Sequence, residues 1–272
     1  MLGRSVIARM ENRWLRIRES ILSDCQKRLP LRTEHGRLVV RLASTAASYH
    51  ERVPIARQRL IEPEMLDHAP PEDARANLDD LVRVNRYFGA YGILRKMMSN
   101  LVNPDESFSM LDVGSASGDM GAALRRSYSR GVVTAMDLRC AHLADAAQPK
   151  LVGDAFQLPF GPSSFDFVFC SLFLHHFSNE QIVELLGKFK RVARRAVLAI
   201  DLDRGPMAYH FLPKTRWLFH WRPITLNDGP ISVQAGFKKE ELQALARRAG
   251  LEQAHVAVHR PWARLSLVAR VA

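Results

Sequence analysis

The spacing of apolar positions changes character near residue 108. In residues 1–29, Val6, Ile7, Met10, Trp14, Ile17, Ile21 and Leu22 recur at helical intervals between arginines, which predicts a basic helix. Leu38-Val39-Val40 fits either a short strand or part of another helix. Glu62 to Asp73, with Pro63, Pro70 and Pro71, reads as a linker. A helical pattern then runs from about Asp73 to Leu101, with Leu78, Leu81, Val82, Phe88, Leu94, Met97 and Met98 on its apolar side. Gly89 and Gly92 predict a break in its middle, and Asn103-Pro104-Asp105 ends it.

From Phe108 the pattern alternates. Apolar runs at 108–113, 132–136, 165–174 and 196–200 are strand-like, separated by helical stretches near 117–129, 140–147 and 179–194. Strand, helix, strand in this order implies parallel strands with right-handed crossovers, an α/β doubly wound sheet. Lys238 to Ala249 is an amphipathic helix stopped by Gly250. The last two runs, 253–259 and 263–271, flank Arg260-Pro261; so short a connection pairs them antiparallel. Asn227-Asp228-Gly229-Pro230 reads as a turn.

Composition narrows the class. The chain of 272 residues is 47% hydrophobic and 25% charged, which excludes a wholly disordered or fibrous protein. Its formal net charge of +11 is unevenly spread: residues 1–60 hold 13 Lys or Arg against 5 Asp or Glu, the remainder 26 against 23. The basic excess therefore lies outside the part that alternates strand and helix. It is either a solvated face or an attachment point for an anionic partner. Cys25, Cys140 and Cys170 form neither a disulfide framework nor a zinc pattern, which points to a reducing, cytoplasmic setting. No run of about 18 apolar residues predicts a transmembrane helix, and no secretory signal is expected.

The densest chemistry lies in Asp112-Val113-Gly114-Ser115-Ala116-Ser117-Gly118-Asp119. Small residues at a strand end let a ligand approach the backbone, and free amides open the following helix. A dinucleotide loop would read G-x-G-x-x-G. This one reads D-x-G-x-x-x-G, and a carboxylate there repels a pyrophosphate while suiting a cationic or amino-bearing ligand. The next strand ends on Asp137, 19 positions after Gly118, the spacing at which such sheets put a carboxylate on ribose hydroxyls. Asp154 could accept from an adenine amino group, with Phe156 and Leu158 against the ring.

Taken together, "LDVGSASGD", "MDL", "GDAFQLPF", "SFDFVFCSLFLHHF" and "RVARRAVLAIDLDR" resemble the class I S-adenosylmethionine-dependent methyltransferases, in particular the ubiquinone/menaquinone-biosynthesis-like, type 11 subgroup. The resemblance covers roughly residues 75–272 and implies a Rossmann-like, seven-stranded, mostly parallel sheet with a C-terminal antiparallel hairpin and an N-terminal helical extension. Residues 1–60 would be that extension and 61–272 the catalytic domain, with a helical lead-in at 73–102, a cofactor-binding core at 108–201 and a substrate-covering insert at 204–236. S-adenosylmethionine is the implied cofactor. Asp112, Gly114, Ser115, Ser117 and Gly118 would shape the methionine pocket, Asp137 and Leu138 would meet the ribose, Asp154 and Ala155 the adenine, and Ser171 the methionine moiety. Asn85, Arg86 and Tyr87 would belong to a closing segment. Ser115 and Ser117 stand where the family often has Gly, Thr or Cys; both are small.

For the acceptor side, His175 and His176 end the fourth strand at the carboxyl edge, where open α/β sheets bind ligands. Either takes a proton at physiological pH or fixes the loop, and neighbours on a strand cannot both face one site. Tyr209, Phe211, Trp217, Phe219, His220 and Trp221 gather aromatic character in the insert; Tyr209, Trp217, Phe219 and Trp221 are the substrate candidates, against a plain packing role. His142, His255 and His259 read as surface or packing residues, and Asp166 as a strand-end binder of backbone amides. No metal is expected. The expected function is methylation of a small, aromatic or lipid-like acceptor. An RNA or protein methyltransferase using the basic N-terminus, and a non-catalytic cofactor-binding protein, are the alternatives. A peripheral membrane contact through residues 1–60 and the oligomeric state stay open.

Overall fold

The computed structural model describes residues 58–271; the helix expected at 1–29 and the segment at 38–40 lie outside them. The lead-in is two helices, α1 (Pro71–Tyr87), opened by Pro71, and α2 (Ala90–Ser99). The break expected at the glycines falls at Gly89, whose φ is +83°. A Cβ there would sit 2.7 Å from the Trp262 ring, so glycine is needed for the close approach as well as for the left-handed turn.

Strands β1 (Phe108–Val113), β2 (Gly131–Asp137), β3 (Lys150–Val152), β4 (Phe165–Ser171) and β5 (Ala193–Leu202) are parallel neighbours in the order β3-β2-β1-β4-β5. β7 (Arg264–Arg270) then pairs antiparallel with β5, and β6 (Ala254–His259) antiparallel with β7 at the edge. This is the seven-stranded, doubly wound sheet with its terminal hairpin that the sequence predicts. Alternation builds its two faces. Leu111, Val113, Val168, Val197 and Ala199 pack with α4 (Asn179–Val192) and α7 (Lys239–Arg248). The interleaved Met110, Phe167, Phe169, Leu198 and Ile200 pack with α2 and α3 (Asp119–Arg125). Helix α4 starts on a capping box in which Ser178 and Gln181 exchange side chain-to-backbone bonds. Asp166 does hold a strand end, accepting from Ser109 N at 2.9 Å.

Several local expectations are corrected. Residues 140–147 form turns, not a helix. β3 has only three residues, too few to show a period. Asn227 to Pro230 is not a turn: it lies inside helix α6 (Pro223–Ala235), which pairs with α5 (Pro206–Phe219). Tertiary packing overrides the turn propensity there. A Cβ on Gly229 would come 2.3 Å from Leu212 of α5, and Asp228 is buried accepting the backbone N–H groups of Met65 and Leu66. The "linker" at 62–73 is likewise packed, with a 3-10 turn at Met65–His68 and Glu64 buried. Arg59 and Leu60, placed by the sequence in the N-terminal extension, are bonded to the domain: Leu60 N donates to Gln234 O, and the Arg59 guanidinium donates to the carbonyls of Ala235, His175 and Phe177 and to Asn179 Oδ1. No helix among the described residues is long and apolar enough to cross a membrane.

Candidate active site

The carboxyl ends of β1, β2 and β4 converge on a cavity of about 400 Å³, lined also by Leu66 of the Met65–His68 turn and by Leu78 and Leu81 of α1. The loop after β1 turns through positive φ at Gly114, Ala116 and Gly118. A Cβ on Gly114 would meet the Phe173 ring at 2.3 Å, and one on Gly118 would lie 2.9 Å from Ala146 Cβ. Three of the loop's amides are engaged: Ser115 N with Met136 O, Ala116 N with Asp137 Oδ2 and Gly118 N with Ser115 O.

Carboxylates dominate this wall. Asp112 is 1% exposed, and burial, reinforced by Asp119 and Asp137, pushes its pKa well above the usual range. Asp119 is also raised by burial, against hydrogen bonds from Asn85 and Tyr91. Asp137 accepts from the N–H groups of Ala116 and Arg139 and lies 3.3 Å from His142 Nδ1. Asp154 caps the short turn Ala155–Gln157 through Phe156 N. Buried polar atoms left without a partner cluster in the same wall: Asp112 Oδ2, Ser115 Oγ, Ser171 Oγ and Asn85 Oδ1. Orphaned buried polar groups are costly unless a ligand satisfies them. A wall of Asp112, Asp119, Asp137 and Asp154, with Asp112 Oδ2 unpartnered, fits a ligand bearing ammonium, sulfonium and hydroxyl groups, which is the chemistry of S-adenosylmethionine.

Of the ten cofactor residues expected from sequence, nine line the cavity; Gly118 does not, and supports the loop from behind. Asn85 lines it too, whereas Arg86 and Tyr87 point to solvent. His142, read from the sequence as a surface or packing residue, lines the cavity. His176 lines the cavity; His175 is 2% exposed and lies behind it, its Nδ1 2.7 Å from Asp201 Oδ1. Burial pulls the His175 imidazolium down, but Asp201 and Glu64 outweigh it and hold its pKa at about 9. None of Tyr209, Trp217, Phe219 and Trp221 lines the cavity. Trp221 is buried, stacked on Phe219 at 4.9 Å with its Nε1 donating to Thr215 Oγ1, and Phe88 packs edge-on against Phe211 and Phe219. Trp217 is 73% exposed. Sequence reasoning passed over Leu66, Leu78, Leu81 and Phe173, which carry no pattern beyond ordinary apolar periodicity, and Glu64, hidden in a proline-rich stretch.

Residues 111–200 match the model of the methyltransferase domain. Three solved structures share the fold. A candidate O-methyltransferase of Nostoc punctiforme is 18% identical, with 66% of this chain and 56% of that one covered, at a TM-score of 0.50. A protein of Bordetella parapertussis described as a candidate exported protein is 16% identical, with 66% of each chain covered and a TM-score of 0.52. A candidate methyltransferase of Haloferax volcanii, solved with the Trm112 methyltransferase activator, is 17% identical, with 73% and 95% covered and a TM-score of 0.50. The chain spans just over half the length of the Nostoc protein. No curated protein matches it. Sequence motif, sheet order and family match agree on a methyltransferase domain over residues 111–200.

Proposed function

We propose that the protein transfers a methyl group from S-adenosylmethionine to a small, apolar or aromatic acceptor. The observation that carries this reading is the mixed lining of the cavity: Asp112, Asp119 and Asp137 line it together with Leu66, Leu78, Leu81, Phe173, Phe177 and His176. A cavity with an apolar wall and few convergent polar groups suits a small molecule rather than a polymer. In this reading Asp112 faces the cationic end of the cofactor, Asp137 takes the ribose hydroxyls, Asp154 and Ala155 border the adenine, and Ser171 borders the methionine. When bound, S-adenosylmethionine supplies an electrophilic methyl on a sulfonium and leaves as a neutral thioether. The chain's own part is to align the acceptor, exclude water through Leu66, Leu78 and Leu81 and receive a proton. The acceptor meets these leucines and the 172–177 turn in this reading, and the α5 aromatic cluster acts as packing.

Calorimetric titration with S-adenosylmethionine tests the cofactor side. Asp137→Ala removes hydrogen bonds to an ionised group, worth about 1.5–3 kcal/mol, so Kd rises roughly tenfold to a hundredfold. An unchanged Kd in a folded variant removes the ribose assignment. NAD, with its pyrophosphate against three carboxylates, does not bind in the same assay. Labelled-methyl transfer to phenolic, quinone-precursor and lipid acceptors then identifies the substrate class.

A further inference from the structure

Helix α5 lies on the outside of the fold, and none of its 14 residues is buried. Its inner side holds Phe211 and Phe219, packed on Phe88, and Leu212, set against Gly229 of α6. At 3.6 residues per turn the remaining side gathers Met207, Lys214, Arg216, Trp217 and Leu218. All five are exposed, Trp217 by 73%, Met207 by 57% and Leu218 by 56%. A surface helix of a globular protein ordinarily turns charged and polar residues to water. This one turns out three large apolar side chains together with cations. From residue 204 to residue 227 the chain has no Asp or Glu. Lys214, Arg216 and, just past the helix, Arg222 are exposed, and no carboxylate pairs with them among the described residues. Arg83 of α1, donating to Phe219 O, adds a cation at the end of α5; its partner Asp80 is buried.

We propose that this face of α5 docks on an anionic phospholipid membrane, with Met207, Trp217 and Leu218 set at the boundary between headgroups and acyl chains and Lys214, Arg216 and Arg222 on lipid phosphates. The chemistry of the face selects the occupant. A helix lying in such an interface combines apolar side chains, a Trp at headgroup depth and Lys or Arg that reach anionic lipid. A nucleic acid would satisfy the cations and leave the apolar side chains in water. A second copy docked through the same face would set these cations against themselves. Residues 1–60, with 13 Lys or Arg against 5 Asp or Glu, bear the same sign as the face. The formal net charge of +11 draws the whole molecule toward a negative surface before any side chain inserts. Docking needs no methyl transfer, so it stands apart from the methyltransferase reading.

Co-sedimentation of the full chain with vesicles measures the docking. Vesicles of two parts phosphatidylcholine to one part phosphatidylglycerol are expected to bind it, and phosphatidylcholine alone to bind it far less. Lys214→Ala and Arg216→Ala each weaken binding about fivefold. The double change Met207→Asp, Leu218→Asp weakens it roughly tenfold or more. A thermal melt on each variant establishes that the fold is kept. Vesicles with brominated acyl chains read insertion through a milder change: they quench the fluorescence of the wild type more than that of Trp217→Phe. Equal quenching in the two overturns the proposal. Absence of binding to the anionic vesicles does so too, as does an affinity that the face variants leave unchanged, which assigns the contact to residues 1–60. A dimer in sedimentation velocity that Leu218→Asp dissociates assigns the face to a second copy. Salt-sensitive binding of polyuridylate, lost in Lys214→Ala while vesicles stay unbound, assigns it to nucleic acid. Either result overturns the membrane.

Discussion

Asp112 and Asp201 sit at the same 1% exposure on strands of one sheet, and their surroundings are opposite. Asp201 is saturated: Leu174 N, Leu202 N and His175 Nδ1 all bond to it. Burial works to raise its pKa, but the His175 charge and these bonds bring it below the usual value. Asp112 has an unpartnered Oδ2, and burial with two neighbouring carboxylates raises it. A saturated buried acid is architecture. An unsatisfied one marks a candidate binding position, the role proposed above for Asp112.

The largest effect expected from this contrast is at Asp201. Asp201→Ala strands the His175 imidazolium, and breaking a buried pair costs about 3–5 kcal/mol, read by denaturant unfolding. The sign with pH follows from His175. Its folded pKa, about 9, exceeds the unfolded value, so the pair's contribution is complete below about pH 6.5 and lost as pH rises through about 9. The wild type should lose stability across that window, and Asp201→Ala should not. A flat wild-type profile would put the proton elsewhere.

Asp112→Asn should act the other way, stabilising the ligand-free protein by about 1 kcal/mol while weakening S-adenosylmethionine binding. The folded state raises this carboxyl's pKa, so stability falls as pH climbs from the ordinary carboxylate range toward the folded value. The gain from Asp112→Asn is therefore greater at pH 8 than at pH 5. If thermal melts show Asp112→Asn destabilised at both pH values, the residue is structural like Asp201 and the contrast collapses. The smallest effect concerns Trp217, exposed on α5: Trp217→Ala should change stability by less than about 0.5 kcal/mol and leave cofactor affinity alone. A raised acceptor KM with normal stability would restore α5 to the acceptor site.

Much of this was readable before any coordinates. Asp112, Gly114, Ser115, Ser117, Asp137, Asp154 and Ser171 could be expected around one cavity because they close consecutive strands of an alternating pattern, and all of them line it. β1, β2, β4 and β5 announced themselves as long apolar runs. What escaped depends on contacts distant in sequence. Glu64 gains meaning only through His175 and His176, more than a hundred positions away, and proline-rich composition masked its burial. Asn227 to Pro230 has every local mark of a turn and is helical because α5 and the Met65–His68 turn are packed against it. The aromatics at 209–221 show the reverse: their crowding in sequence suggests a pocket, whereas Phe219 and Trp221 stack on each other and pack on Phe88.

The position of β7 between β5 and β6 sets an order on assembly. β5 ends at Leu202, yet the strand that covers its outer edge begins at Arg264. During synthesis, at roughly 5–20 residues per second, the parallel half containing the cofactor loop is complete seconds before its neighbour exists. For that interval β5, buried along most of its length in the finished fold, is an open edge with an apolar face, the kind of strand that recruits other chains. The late hairpin is thus the fold's closing seam. Slow translation or a misfolded hairpin would leave a molecule whose cofactor loop is already shaped but whose sheet is still open to aggregation.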